Sequence, residues 1–487
     1  MTPGELFIVL WTRVVPHAGP VIEIPWQGRS APEFNDIVRI LADCDDRDVP
    51  KEIHAYLTRK AVSFACAVGE ADQRAFVVMC ALDHCAMFIH PAMPRRLPGR
   101  ATGIKGMLAA MRSDRTSTGC YADVAGEGMV VPKGHLMDRR RPDDVQDASG
   151  TDLANQFGYL SLVRPLRDGP KLRFVVPQPS RFDLPADRAM HVGLAPIAQD
   201  PDDLQFRTAE RGGSVYLDTL PAAPLLSKRI DETVCAMLDA GAGLVVLPEL
   251  ITAPSAVASL QGRLNARLGA PTPALILAGT GPSGTPSPGG RPYNEAVLMT
   301  ADGRVLSIQR KLHLFRMDAG RMKDCGIARE AGYDDRNHLE DAAAGTELVV
   351  LDLHGLGRVM VLICEDLQQQ TPGGDIALAI RPDWILTPVL DISQAVGRWT
   401  HARAIEVGRK TGSRIVVSCS ATLAVRMAGA ASLAAVAGES IQTGICFDGY
   451  ENQRVHFVKT VAQATANFEV VRWDSTSWPR HMTTFRS

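Results

Sequence analysis

From Met190 onward the chain is written in short runs of Val, Leu and Ile, and three of these runs stop abruptly at a reactive side chain. Leu244-Val245-Val246-Leu247-Pro248 leads to Glu249, the run from Val305 to Arg310 leads to Lys311, and Val359-Met360-Val361-Leu362-Ile363 leads to Cys364 and then Glu365-Asp366. Apolar, β-branched runs of about four to eight residues bounded by turn signals are strands. Further strands are expected at His191–Ile197, Ala274–Ala278, Trp384–Thr387 and Arg414–Ser418, and helices at Leu225–Ala240 and Val396–Lys410. Asp302-Gly303 marks a hairpin between Ala296–Thr300 and Val305–Ile308, and Gly355-Leu356-Gly357 a second between Leu348–Leu353 and Val359–Ile363. Hairpins mixed with strand–helix alternation constrain this part to a sheet-rich α/β domain with helices packed outside.

The three terminal side chains form a coherent chemical set. A free thiol is mostly protonated near neutral pH. A carboxylate beside it can take its proton, and an ammonium nearby favours the thiolate. Cys364 is then a nucleophile for an amide or nitrile carbon. Glu249 is the base that later returns the proton to the leaving amine and activates water. Lys311, with a backbone N–H after Cys364, receives the charge that develops on the attacked group. Each residue has an ordinary alternative: an inert buried cysteine, a helix-capping glutamate, a solvated lysine. Jointly these alternatives are much weaker than singly.

Leu247-Pro248-Glu249, Arg310-Lys311-Leu312-His313-Leu314 and Ile363-Cys364-Glu365-Asp366 occur in order, 62 and 53 residues apart between their reactive residues. They resemble the three motif blocks of the nitrilase (carbon–nitrogen hydrolase) superfamily. Tyr293-Asn294-Glu295-Ala296 and Gly303 look like the segment preceding the family's lysine, and Arg403-Ala404-Ile405-Glu406 resembles its late helix; the resemblance runs from Met190 to about Asp474. It implies a four-layer α-β-β-α sandwich, no metal or organic cofactor, hydrolysis of non-peptide C–N bonds, and homo-oligomers. It also implies a second glutamate between the lysine and the cysteine. Glu340, before Gly345, is the favoured candidate and Glu330 the other, because the segment from Arg316 to Asn337 is longer and more polar than the family pattern. Glu365-Asp366 after the cysteine resembles the amidase, carbamoyl-hydrolase and glutaminase branches more than the nitrile-cleaving ones. The expected substrate is therefore a small amide-type molecule, held by loops at Ile251–Val257, Arg316–Asn337 and Leu390–Gly397.

A chain of 487 residues holds more than one core. The proline cluster Pro177, Pro179 and Pro185 sets an expected boundary, with an α+β N-terminal domain of unknown type at 1–185 and the hydrolase at 186–487. In the first part, Glu52–Phe64 and Gly106–Arg112 are expected helices and Phe76–Met79 a buried strand. Phe157–Val163 and Lys171–Val176 are an expected strand pair around Asp168-Gly169. A net charge of −2 gives no reason to expect nucleic acid or an anionic membrane as partner. Ten cysteines without framework spacing, and no secretory pattern, fit reduced cytoplasmic thiols.

Three other motifs are weaker. Cys80, His84, Cys85 and His90 lack paired zinc spacing and fit core packing better. Gly99–Lys105 lacks the P-loop pattern. Arg139–Arg141, followed by Asp143-Asp144, fits a solvated loop. Two further roles compete with the hydrolase: a glutaminase-like subunit supplying ammonia, and an effector gated by the N-terminal part.

Overall fold

The computed structural model describes residues 1–23, 28–59, 69–91, 106–134, 152–165, 169–177, 190–267, 274–327, 336–354, 356–436, 441–449, 455–460, 468–473 and 482–486. Glu330, all of Gly99–Lys105, and Arg139–Arg141 with Asp143-Asp144 lie outside them. The chain forms two compact units. The smaller comprises Met1–Arg167, Phe174–Gln178 and Ile376–Asp383, and the larger Asp168–Arg173, Pro179–Asp375 and Trp384–Ser487.

The smaller unit is built on helices Pro3–Val14, Phe34–Ala42, Lys51–Thr58, Glu70–Ala86 and Gly106–Thr118. It adds an antiparallel sheet of Ala122–Val124, Gly128–Pro132 and Leu160–Val163. Thr2 opens the first helix, with its side chain on the Glu5 N–H and Glu5 reaching back to the Thr2 N–H. Pro3–Ile22 is long and apolar enough to cross a membrane by length and composition. Here its apolar face, including Leu6, Phe7, Leu10 and Val14, is part of the unit's core. Phe157 joins Phe7 edge-on at 5.1 Å and Trp11 at 5.6 Å between ring centroids. Buried Asp83 holds the start of the third strand through the N–H groups of Gly158, Tyr159 and Leu160, and pairs with Arg29.

Two sequence expectations fail in this unit. Phe76–Met79 is not a strand; it is the middle of the helix Glu70–Ala86, which is buried from Ala75 to Asp83. A four-residue apolar run reads identically as a strand or as one turn of an enclosed helix, and the helix's length decides between them. Leu160–Val163 does not pair with Lys171–Val175. It pairs with Gly128–Pro132, while the Lys171 N–H donates to Thr346 O. Cys80 and Cys85 are core thiols of the same cluster.

The larger unit is mixed α/β, with three sheets among the described residues. One seven-stranded sheet runs in the order Val305–Arg310, Asn294–Thr300, Leu275–Pro282, Leu244–Val246, Met190–Leu194, Glu469–Trp473, Met482–Arg486. The other includes, in order, Val455–Thr460, Ile441–Asp448, Arg414–Cys419, Trp384–Val389, Gly357–Val361 and Glu347–Leu353. Both expected hairpins are present as antiparallel pairs. The two sheets meet through buried side chains: Trp384 of one packs edge-on against Trp473 of the other at 5.2 Å, and Arg414 lies over both rings. Helix Ala223–Asp239 approaches the first sheet so closely that a Cβ on Gly193 would stand 2.7 Å from the Met237 sulfur. Helix Trp399–Thr411 approaches the second so closely that a Cβ on Gly408 would stand 2.5 Å from the Phe447 ring.

The third sheet was not anticipated. It has four strands in the order Arg316–Met317, His338–Glu340, Ser214–Pro221, Leu204–Arg211. Its long hairpin turns at Gly212-Gly213, both with positive φ. That dipeptide between two alternating segments was the available hairpin signal.

Leu247 is fully buried at the end of the strand that delivers Glu249. Leu247→Ala is expected to cost about 2–5 kcal/mol, read as a lower urea midpoint by circular dichroism. A midpoint equal to that of the parent would contradict the assigned core.

Candidate active site

Each of the three reactive side chains leaves a strand at the point where its backbone turns away. Glu249 follows Leu244–Val246, and the next residue, Leu250, has φ +57° with its N–H donating to Thr280 Oγ1 at 3.0 Å. Cys364 follows Gly357–Val361 and has φ +48° and ψ −104°. A side chain at positive φ is strained, at about 1–3 kcal/mol for a non-glycine residue. The surroundings hold it: the Cys364 N–H donates to Pro388 O at 3.0 Å, and the Leu367 N–H to Cys364 O at 3.0 Å. Lys311 ends the strand Val305–Arg310, its N–H donating to Asn294 O at 2.9 Å.

The structure brings these residues into one buried cluster together with Glu340. Glu249 is 2%, Lys311 1% and Cys364 6% exposed. Lys311 Nζ lies 2.9 Å from Glu249 Oε1 and 2.6 Å from Glu340 Oε2. Asn294 Nδ2 donates to both carboxylates, at 3.0 Å to Glu249 and 2.9 Å to Glu340. The Phe315 N–H donates to Glu340 Oε2 at 3.0 Å, and the Leu390 N–H to Glu249 Oε2 at 3.0 Å. The Cys364 thiol and the Glu249 carboxylate share one pocket with Lys311, and the Glu249 charge acts on the thiol's ionisation.

Two residues of this frame carried only weak sequence signals. Asn294 sits inside a recognised segment, but nothing in the sequence says that it bridges two carboxylates. Asp366 is buried and accepts from the N–H groups of Leu312 (3.1 Å), His313 (2.7 Å) and Ile363 (3.3 Å) and contacts His313 Nδ1 at 3.0 Å. It ties the turn after Lys311 to the turn at Cys364. Its adjacency to the cysteine was the only available clue.

The electrostatics follow from burial. Burial pushes the Glu249 carboxyl up, and the Lys311 charge only partly offsets this. Burial opposes the Lys311 charge, but the Glu249 and Glu340 carboxylates outweigh it and raise the ammonium well above its ordinary range. Burial and the Glu249 charge raise the Cys364 thiol well above the usual cysteine range, despite Lys311. At neutral pH these shifts leave the thiol protonated and the lysine charged.

A pocket open to solvent reaches Glu249, Lys311, Glu340 and Cys364. Its walls include Phe206, Leu217, Phe315, Met317, Leu390 and Leu423. Of the expected substrate loops, Arg316–Asn337 contributes Met317 and Arg321, and Leu390–Gly397 contributes Leu390. No residue of Ile251–Val257 lines it among those described. No group of His, Cys, Asp and Glu suited to hold a metal ion occurs among the described residues.

Residues 214–371 match the family model of the carbon–nitrogen hydrolases, a stretch that contains all four clustered residues. No curated protein sequence matches the chain. Solved structures similar to it include a glutamine-dependent NAD+ synthetase from Acinetobacter baumannii (16% identity, TM-score 0.38, 62% of this chain and 48% of that one). They also include Nit3 of Saccharomyces cerevisiae, a nitrilase-superfamily member (14%, 0.36, 59% and 90%), and an amidase from Nesterenkonia sp. (14%, 0.34, 59% and 90%). The chain thus spans about half the length of the synthetase.

Two outcomes are expected from this geometry. Direct alkylation of Cys364 by iodoacetamide, followed by peptide mass spectrometry, accelerates with pH and is still rising above the ordinary thiol pKa of about 8.5, because the folded thiol ionises later. A plateau at or below that pH would contradict the buried neutral thiol. Asp366→Asn weakens the charge-assisted anchoring of both turns and costs about 1–3 kcal/mol, measured by chemical denaturation; an unchanged midpoint would remove Asp366 from the frame.

Proposed function

We propose that this chain, whose C-terminal part carries a nitrilase-superfamily carbon–nitrogen hydrolase domain, is a thiol hydrolase of small amide-type molecules. The observation that supports this most is the convergence of three strand ends on one buried cluster. There Cys364 shares the pocket with Glu249, and Lys311 bonds Glu249 and Glu340. On this reading the facing seven-stranded sheets and their helices are the four layers of an α-β-β-α sandwich. The protein works in the cytoplasm as a homo-oligomer.

In the proposed reaction Glu249 takes the thiol proton as Cys364 Sγ bonds to the amide carbon. The negative charge moves onto the carbonyl oxygen, where Lys311 and the N–H after Cys364 receive it. Protonated Glu249 then gives its proton to the leaving nitrogen, the C–N bond breaks, and a thioester remains. Glu249 next removes a proton from water, whose oxygen attacks the thioester. The sulfur leaves and is reprotonated, releasing the acid. Glu340 and Asn294 act as positioning residues: they fix the lysine and keep its charge compensated. The upward push that burial gives the Glu249 carboxyl suits this double use, because it makes the ionised group a stronger base.

The test is ammonia release by the full chain across amides, ureas and nitriles. At least one amide is expected to be turned over. Cys364→Ala should abolish release, and Glu249→Gln should lower kcat by about 10²–10⁴-fold. The acid limb of kcat/KM should lie above the ordinary carboxylate range, since Glu249 is raised and loses its base form earlier as pH falls. Ammonia release that survives Cys364→Ala would end this reading.

A further inference from the structure

The four-stranded sheet Arg316–Met317, His338–Glu340, Ser214–Pro221, Leu204–Arg211 has a register that decides which side chains share a face. Met317 lies opposite His338, His338 opposite Val215, Glu340 opposite Leu217, and Phe206 opposite Thr219. Side chains alternate along a strand. Met317, His338, Glu340, Leu217, Thr219 and Phe206 therefore belong to one face, and all six line the pocket that reaches Cys364. The sheet is a wall of the site, and Glu340 is the point where that wall meets Lys311.

His338 is two residues before Glu340 on the same strand, so the two side chains are spaced by about 7 Å along the wall. His338 is fully buried, and neither ring nitrogen has a hydrogen-bond partner among the described residues. This sets it apart from the cluster beside it, where Glu249, Lys311 and Glu340 all have partners. A buried imidazole carries a donor and an acceptor that lose water on folding, and a site keeps such a group where a partner arrives later. Thr219 brings a hydroxyl to the same face, and Leu217, Met317 and Phe206 supply an apolar surface around it.

We propose that His338 is the specificity residue of the site, receiving an oxygen-bearing polar group on the acyl chain of the substrate. This rests on the amide-hydrolase reading above. His338 stands about 7 Å along the wall from Glu340, so the polar group lies several bonds out on the acyl chain. The preferred substrates are amides of hydroxy acids or dicarboxylic acids. The shared chemistry is an oxygen that accepts from the imidazole N–H; a hydroxyl also donates to the second ring nitrogen.

The test compares kcat/KM of the full chain for pentanamide, 5-hydroxypentanamide and glutaramate. One or both polar amides should exceed pentanamide by about tenfold or more, the value of one well-placed hydrogen bond to a buried partner. The better of the two identifies the hydroxyl or the carboxylate as the group received. In His338→Leu the polar-to-apolar ratio should fall towards one, mainly through KM, while His338→Asn, which keeps a donor and an acceptor, should retain part of it. Equal ratios in the parent and in His338→Leu would overturn the proposal. A second measurement does not depend on turnover: glutarate or 5-hydroxypentanoate added to the parent protein should shift the His338 ring signals in ¹H–¹⁵N NMR. Silence to both overturns the subsite. A shift without hydrolysis of any amide upholds the subsite and contradicts the amide-hydrolase reading instead.

Discussion

The ammonium of Lys311, buried to 1% exposure between two carboxylates, is the constraint on which the rest of the larger unit depends. Removing such a charge from water is expensive, and only well-aligned partners offset it. Glu249 comes from the centre of the first sheet, Lys311 from the edge of that sheet, and Glu340 from the small sheet. The ion-paired cluster therefore forms only when all three elements are in register. Asn294 strengthens the requirement by donating to both carboxylates at once. Removing Lys311 would leave both carboxylates in the interior without their counter-charge, a loss on the scale of about 3–5 kcal/mol for buried pairs. Fold and site are in this sense one energetic unit.

The thiol is the neutral component beside this charged set. Cys364 occupies a left-handed backbone position that a side chain ordinarily avoids, and Leu250 does the same after Glu249. Both sit where a strand gives way to a turn fixed from neighbouring elements: Pro388 O and Asp366 at the cysteine, Thr280 at the glutamate. Asp366 spans the gap between the lysine turn and the cysteine turn with one carboxylate. The strain has a geometric result: thiol and carboxylate are brought together from different sheets.

The sequence made the site more legible than its walls. The strands ending at Glu249, Lys311 and Cys364 are apolar, short and bounded by turns, so periodicity alone located them, and their order supplied the resemblance. Glu340 was preferred over Glu330 from its place before Gly345, and it is Glu340 that bonds Lys311; Glu330 lies outside the described residues. The hairpin Leu204–Arg211 with Ser214–Pro221 escaped notice because its faces are only partly buried and its residues mostly polar. His338 escaped with it. It lies just past the polar segment Arg316–Asn337, with no periodic pattern of its own to give it a face; in the short strand His338–Glu340 it takes the face of Glu340. Phe76–Met79 failed for the opposite reason, since a fully enclosed helix shows no alternation to distinguish it from a strand. The bonds of Asp83 and Asp366 join segments far apart in the chain, which no local pattern encodes.

The central claim is that Cys364 becomes covalently acylated by a C–N substrate. It is tested most directly by intact-protein and peptide mass spectrometry of the full chain, quenched in acid during turnover of an amide that releases ammonia. The account predicts a mass increase equal to the acyl group, located on Cys364 and absent from the remaining nine cysteines. Turnover with no acyl adduct on Cys364, or with the adduct on another residue, would contradict it.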